Sequence, residues 1–127
     1  MKKEIIICFV VVLIVIALNV VSEGHTDYII DCVEKSLEIL RQNLFLENEL
    51  EARNEIKEIL DKWEKEKELL SIYIEHDELE KIETCIREIN SNIETKEYNI
   101  AIESLDTCVF LMNHIKDKYK LSVKNIF

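Results

Sequence analysis

The sequence predicts an all-α protein: one N-terminal transmembrane helix followed by a small antiparallel bundle of three to four helices. Three observations point there. The 127 residues include no proline and a single glycine, Gly24, so the turn residues that a strand-rich domain needs are missing. An apolar run, Ile5 to Val21, opens the chain. Beyond it, apolar residues recur at steps of three and four, the period of helices buried along one side.

The opening run reads IIICFVVVLIVIALNVV, with Asn19 its one polar residue. As a helix it covers roughly 26 Å, close to the ~30 Å hydrocarbon core of a bilayer. Lys2 and Lys3 precede it and acidic residues follow it, which sets the N-terminus inside by the positive-inside rule. The expected organisation is a cytoplasmic N-terminus (1–4), a transmembrane helix (5–22) and an extracytoplasmic helical domain (23–127), as a single-pass protein of the cytoplasmic membrane. The alternative is a signal peptide cleaved near Val20-Val21-Ser22, which would release a secreted helical domain starting near Glu23. Against it, the run is long for a signal peptide and lacks an A-x-A site.

Gly24 is the expected hinge between span and domain, with the first outer helix starting near Thr26-Asp27. Its stripe is Ile29, Val33, Leu37, Leu40 and Leu44, faltering at a corner between Asn43 and Asn48. A second helix, from about Asn48 to Tyr73, carries Ile56, Ile59, Leu60, Trp63 and Leu70 on its buried face. In the third, Leu79, Ile82, Ile86, Ile89 and Ile93 alternate steps of three and four without error. After a corner between Asn90 and Lys96, the fourth reads Tyr98, Ala101 or Ile102, Leu105, Val109, Met112 and Ile115. Such spacing favours shallow, nearly antiparallel packing.

Charge and motif content narrow the function. Twenty-six acids stand against 16 lysines and arginines, a net charge of −10, which argues against nucleic acid and anionic lipid as partners. There is no nucleophile elbow and no C-x-x-C pair, so neither a serine-type hydrolase nor a dithiol redox enzyme is expected. The expectation is a non-enzymatic protein that needs no cofactor.

The stretch that stands out is SIYIEHDELEKIE, Ser71 to Glu83. Asp77 with Glu80 three residues later forms a capping-box-like pair ahead of Leu79 and Ile82, and Glu78 adds charge that suits a helix start. Alternating helix directions bring this corner and the C-terminal tail to the end of the bundle next to the membrane. Folding the third and fourth helices about their corner sets His76 across from Asp117, His114 across from Leu79 and Cys85 across from Cys108. Metal binding by His76, His114, Asp77 and Glu80 is one reading of that end, although the spacing is unlike H-E-x-x-H. The plainer reading is histidines hydrogen-bonded to carboxylates or helix ends. Cys85 and Cys108 are either small buried thiols or a disulfide.

The N-terminal apolar helix, Trp63, HDELEKIE (His76 to Glu83) and FLMNHIKDKYKLSVKNIF (Phe110 to Phe127) together resemble a family of short membrane-anchored bacterial proteins known only as a domain of unknown function. The most specific parts are His76-Asp77-Glu78, His114-Ile115 and Asn125-Ile126-Phe127. The resemblance implies no activity. Members are often encoded beside a multi-pass membrane protein, which implies an accessory role with an integral membrane partner. It also implies a docking surface made of His76, Asp77, Glu78, His114, Asn125, Ile126 and Phe127. One departure is the aromatic residue that tends to open the second helix in relatives, where this chain has Phe45 slightly earlier. Cys32, Cys85 and Cys108 lie outside the family pattern. Self-association stays open at this level.

Overall fold

The computed structural model describes the backbone of residues 1–126 and the side chains of residues 1–119. Four helices follow one another: α1 (Lys2–Phe45), α2 (Glu49–Leu70), α3 (His76–Glu94) and α4 (Tyr98–Ile126). Among the described residues each helix packs only on its two neighbours in a ring, α1 on α2, α2 on α3, α3 on α4 and α4 on α1. Ion pairs fix the antiparallel sense. Arg41 pairs with Asp106 and Asp31 with Lys116 between α1 and α4, while Glu64 meets Arg87 and Lys67 meets Glu83 between α2 and α3.

The expected stripes form the core. Leu37, Leu40, Ile56, Ile82, Ile86, Ile89 and Leu105 are fully buried, and Trp63 fills the middle of α2's inner face. In α4 the stripe shifts slightly from the expectation. Ala101, Leu105, Cys108, Met112 and Ile115 are buried, whereas Ile102 and Val109 pack at its border. A helix turns 100° per residue, so two flanking positions compete for the seam, and the smaller Cys108 takes it opposite Cys85.

The two hairpins repeat one another. A constant shift of 49 positions carries the buried Ile30, Val33, Leu37, Leu40 and Leu44 of α1 onto Leu79, Ile82, Ile86, Ile89 and Ile93 of α3. It also carries Ala52, Ile56, Ile59 and Trp63 of α2 onto Ala101, Leu105, Cys108 and Met112 of α4. The corners match too. Glu47 (φ 54°) and Lys96 (φ 60°) are the two left-handed residues among those described. In each corner the next amide reaches back five residues, Asn48 to Asn43 at 2.9 Å and Glu97 to Asn92 at 2.8 Å. This is the Schellman closure, here without its usual glycine. The bundle therefore has approximate twofold symmetry about its long axis, with α1 equivalent to α3 and α2 to α4.

Two expectations are corrected. Gly24 is not a hinge: α1 runs unbroken through it from the apolar segment into the bundle. One glycine costs a helix only about 0.5–1 kcal/mol relative to alanine, and the long helices on either side outweigh that. The expected boundary between residues 22 and 23 thus falls inside a continuous helix, whose buried residues begin at Thr26. The second helix is also shorter than expected, ending at Leu70. A tight turn follows, in which the amide of Ile74 donates to the carbonyl of Leu70 at 2.7 Å.

Candidate functional site

The apolar run and the 71–75 corner lie at the same end of the bundle. The run's side chains stand in the open, with Ile5, Phe9, Leu13, Leu18 and Val21 all at least half exposed. Among the described residues nothing covers them, and the helix is long and apolar enough to cross a membrane. Where α1 enters the bundle, Val21, Ser22 and His25 share a hollow with Leu69, Ile72 and Tyr73. His25 Nε2 lies 3.4 Å from Glu66 Oε2.

The corner is tied down by α4. The Tyr119 hydroxyl accepts a hydrogen bond from the amide of Glu75 at 2.8 Å, and the Tyr73 and Tyr119 rings lie 5.1 Å apart. Lys118 donates to Glu78 at 3.0 Å and lies 3.8 Å from Glu75. That bond to Glu78 raises the Lys118 pKa, against a smaller opposing effect of burial. Glu78 is mostly shielded, and its second oxygen is buried without a partner. Lys118 can occupy one carboxylate oxygen; the turn around it screens the other from water.

The capping expectation is corrected. Helix α3 begins at His76, one residue before the expected cap, and Glu75 is its cap residue with no side-chain capping bond. Asp77 and Glu78 sit inside the first turn, where negative charge meets the exposed amides of the helix start. Glu80 reaches back to His76 instead, with His76 Nε2 3.0 Å from Oε1. The bond that Tyr119 accepts from Glu75 does part of what a local cap would do, and no sequence-local signal announces it because the two lie 44 positions apart.

The sequence-predicted site residues separate into neighbouring positions. His76 and Glu80 line one hollow with Lys67, Ser71 and Glu83. Asp77 lies in another beside Glu80, which borders both, and Lys81 and Leu111. His114 shares a small hollow with Glu78, Lys81, Leu111 and Ile115. Among the described residues no three His, Cys, Asp or Glu side chains come together as a set that could hold a metal ion. The predicted hairpin register is close to the observed one, but Lys118, not Asp117, faces the corner's acids. The side chains of Asn125 and Ile126, and all of Phe127, lie outside the described residues.

Cys85 and Cys108 are buried and unbonded, as is the partly buried Cys32. Burial, with a smaller contribution from Cys85, pushes the Cys108 thiol up to about 12. Burial likewise raises Cys85. Both are poor nucleophiles, since the thiolate is the reactive form.

An exposed apolar helix continuing into a four-helix bundle, with a charged corner where the two join, defines a helical module with a candidate membrane anchor. Residues 20–126 match a family described as a domain of unknown function (DUF4363), and the chain belongs to that family. No curated protein and no solved structure matches the chain.

Proposed function

We propose that this protein is a non-enzymatic, single-pass membrane module. In this reading α1 crosses the cytoplasmic membrane with its N-terminus inside, and the bundle lies on the outer side. The bundle docks on another integral membrane protein through its lower end, using His76, Asp77, Glu78 and His114 with the tail residues Asn125, Ile126 and Phe127. The observation that carries the reading is the unbroken α1, which delivers the 71–75 corner and its acids to the end of the bundle where the apolar run emerges. Exposed apolar side chains along the run support insertion in lipid, since water would leave them uncovered. Charged and hydrogen-bonding side chains at the corner suit recognition of a partner more than catalysis, because among the described residues no nucleophile, base and oxyanion donors converge there.

The test is site-specific photocrosslinking in intact cells. A crosslinker at position 76 is expected to give a discrete adduct that stays in the membrane fraction, and one at position 96, at the far end, none. Capture from 96 with only lipid or nothing from 76 would refute the docking assignment. The N-terminus of the mature chain tests the anchor separately: retention of Met1 or Lys2 supports a span, and a start near Glu23 removes it.

A further inference from the structure

We infer that the α2–α3 corner is itself a lipid-contacting element, with Leu69 and Ile72 seated in the headgroup layer beside the point where α1 leaves the bilayer. This rests on the membrane-spanning reading of α1 proposed above. Three features lead to it. Ile72 is 81% exposed and Leu69 56%, at the bottom of a bundle where the adjacent Leu70 and Ile74 are buried. The two share a hollow with Val21 and Ser22, the last residues of the apolar run and the first beyond it. And α1 is helical without a break from Lys2 to Phe45, so no linker can lift the bundle away from the bilayer. With Val21 at the edge of the hydrocarbon, Leu69 and Ile72 stand within one side chain's reach of the same boundary.

Amphipathic surfaces of this kind bury their apolar side to about 5–10 Å into the headgroup region. Two adjoining aliphatic side chains suffice for such a contact because the span already holds them there and no separate association cost is incurred. Nearby charge specifies the lipid. Glu68 and Glu75 flank the corner in the sequence with Lys67 beside them, Lys118 lies 3.8 Å from Glu75, and Glu66 lies within reach of His25, so charges of both signs meet the headgroup layer and zwitterionic headgroups fit better than anionic ones. Lipid contact at this point would hold the bundle at one tilt and rotation, with the His76 side of the corner presented along the membrane plane.

The experiment places an environment-sensitive fluorophore on a single cysteine in the full-length protein, reconstituted in phosphatidylcholine vesicles. All four native cysteines are replaced, Cys8, Cys32 and Cys85 by serine and the fully buried Cys108 by alanine. Labels go at Ile72→Cys, at Phe9→Cys inside the run and at Leu50→Cys at the far end, and circular dichroism confirms helical content for each. The expected result is that the label at 72 shifts to shorter wavelength and is quenched by lipids carrying a nitroxide near the headgroup more than by lipids carrying it deep in the acyl chain. The Phe9 label should show the opposite depth preference, and the Leu50 label no quenching. A label at 72 that is unquenched while the Phe9 label is quenched overturns the inference and leaves the span intact. A label at 72 that is blue-shifted but unquenched, and loses the shift on dilution of protein in lipid, assigns the corner to a second copy and also overturns it. Absence of quenching at Phe9 removes the span, and both readings with it.

Discussion

Glu34 and Glu83 occupy equivalent positions in the two hairpins, and their electrostatics run in opposite directions. Burial raises the Glu34 pKa; Lys116 opposes this from a distance and Asp31 adds to it. Lys116 spends its hydrogen bond on Asp31 at 2.6 Å, and one Glu34 oxygen is buried without a partner. Burial pushes Glu83 up as well, but bonds from Arg87 and Lys67 outweigh it and hold its pKa below the ordinary value. Lys67 is the counterpart of Lys116 under the same shift, yet it bonds Glu83 at 3.3 Å. Cores buried at equivalent positions thus carry different charge networks. Apolar burial is non-directional and tolerates the symmetry, whereas an ion pair depends on which single neighbour is in reach.

The largest test of the comparison is its symmetric part. Leu37→Ala and Ile86→Ala remove equivalent fully buried side chains, and each should destabilise by about 2–5 kcal/mol. Denaturant unfolding should find the two losses similar; a negligible loss at one site only would break the equivalence of the hairpins.

At neutral pH, Glu83→Gln should destabilise by roughly 1 kcal/mol, the scale of a partly shielded ion-pair network, while Glu34→Gln should be neutral or stabilising. The pH dependences differ in sign. Glu83 has a lowered folded pKa, so its contribution is complete above the ordinary glutamate value of 4.5 and fades as pH falls through the lowered one. Glu34 has a raised folded pKa, so its charge is a penalty above that value and is relieved as pH falls through it. Thermal midpoints of the two variants between pH 3 and 8 should therefore converge on the parent protein from opposite sides as acid is added.

The Tyr119→Phe variant sharpens the contrast between the corners. The 71–75 corner depends on a bond from a distant helix, whereas the 46–48 and 95–97 corners close on themselves. Losing that acceptor should cost about 1 kcal/mol, and hydrogen exchange should accelerate at Glu75 without change at Asn48 or Glu97. The smallest effect is expected at Glu47→Gly and Lys96→Gly. Both residues are left-handed, and glycine removes the Cβ conflict, so each should stabilise by up to about 1 kcal/mol. Destabilisation at either would mean that the side chain makes a contact worth more than the strain.

Much of the fold was legible because it rests on local periodicity. Leu79, Ile82, Ile86, Ile89 and Ile93 could be assigned to one face from spacing alone, and all five are buried. The start of α3 was misread for a physical reason. Asp77 and Glu80 suit a capping box, but Glu75 takes the cap position once Tyr119 accepts its amide hydrogen bond. The candidate site was legible as a location and not as an arrangement: the sequence singled out His76, Asp77, Glu78, His114 and the Phe110 to Phe127 stretch that holds Lys118 and Tyr119, while the bonds by which those two brace the corner follow no local spacing.

The order of apolar and polar residues by itself determined the apolar helix, an outer bundle of three to four helices and, apart from the α4 seam, the face each one buries, since these follow from a period of 3.6 and from solvent preference. Only the tertiary structure decided that α1 continues straight through Gly24, that the two hairpins are equivalent, and that Lys118 and Tyr119 brace the 71–75 corner. Those outcomes depend on which distant side chains come within bonding reach, and that is set by helix length and register across the bundle.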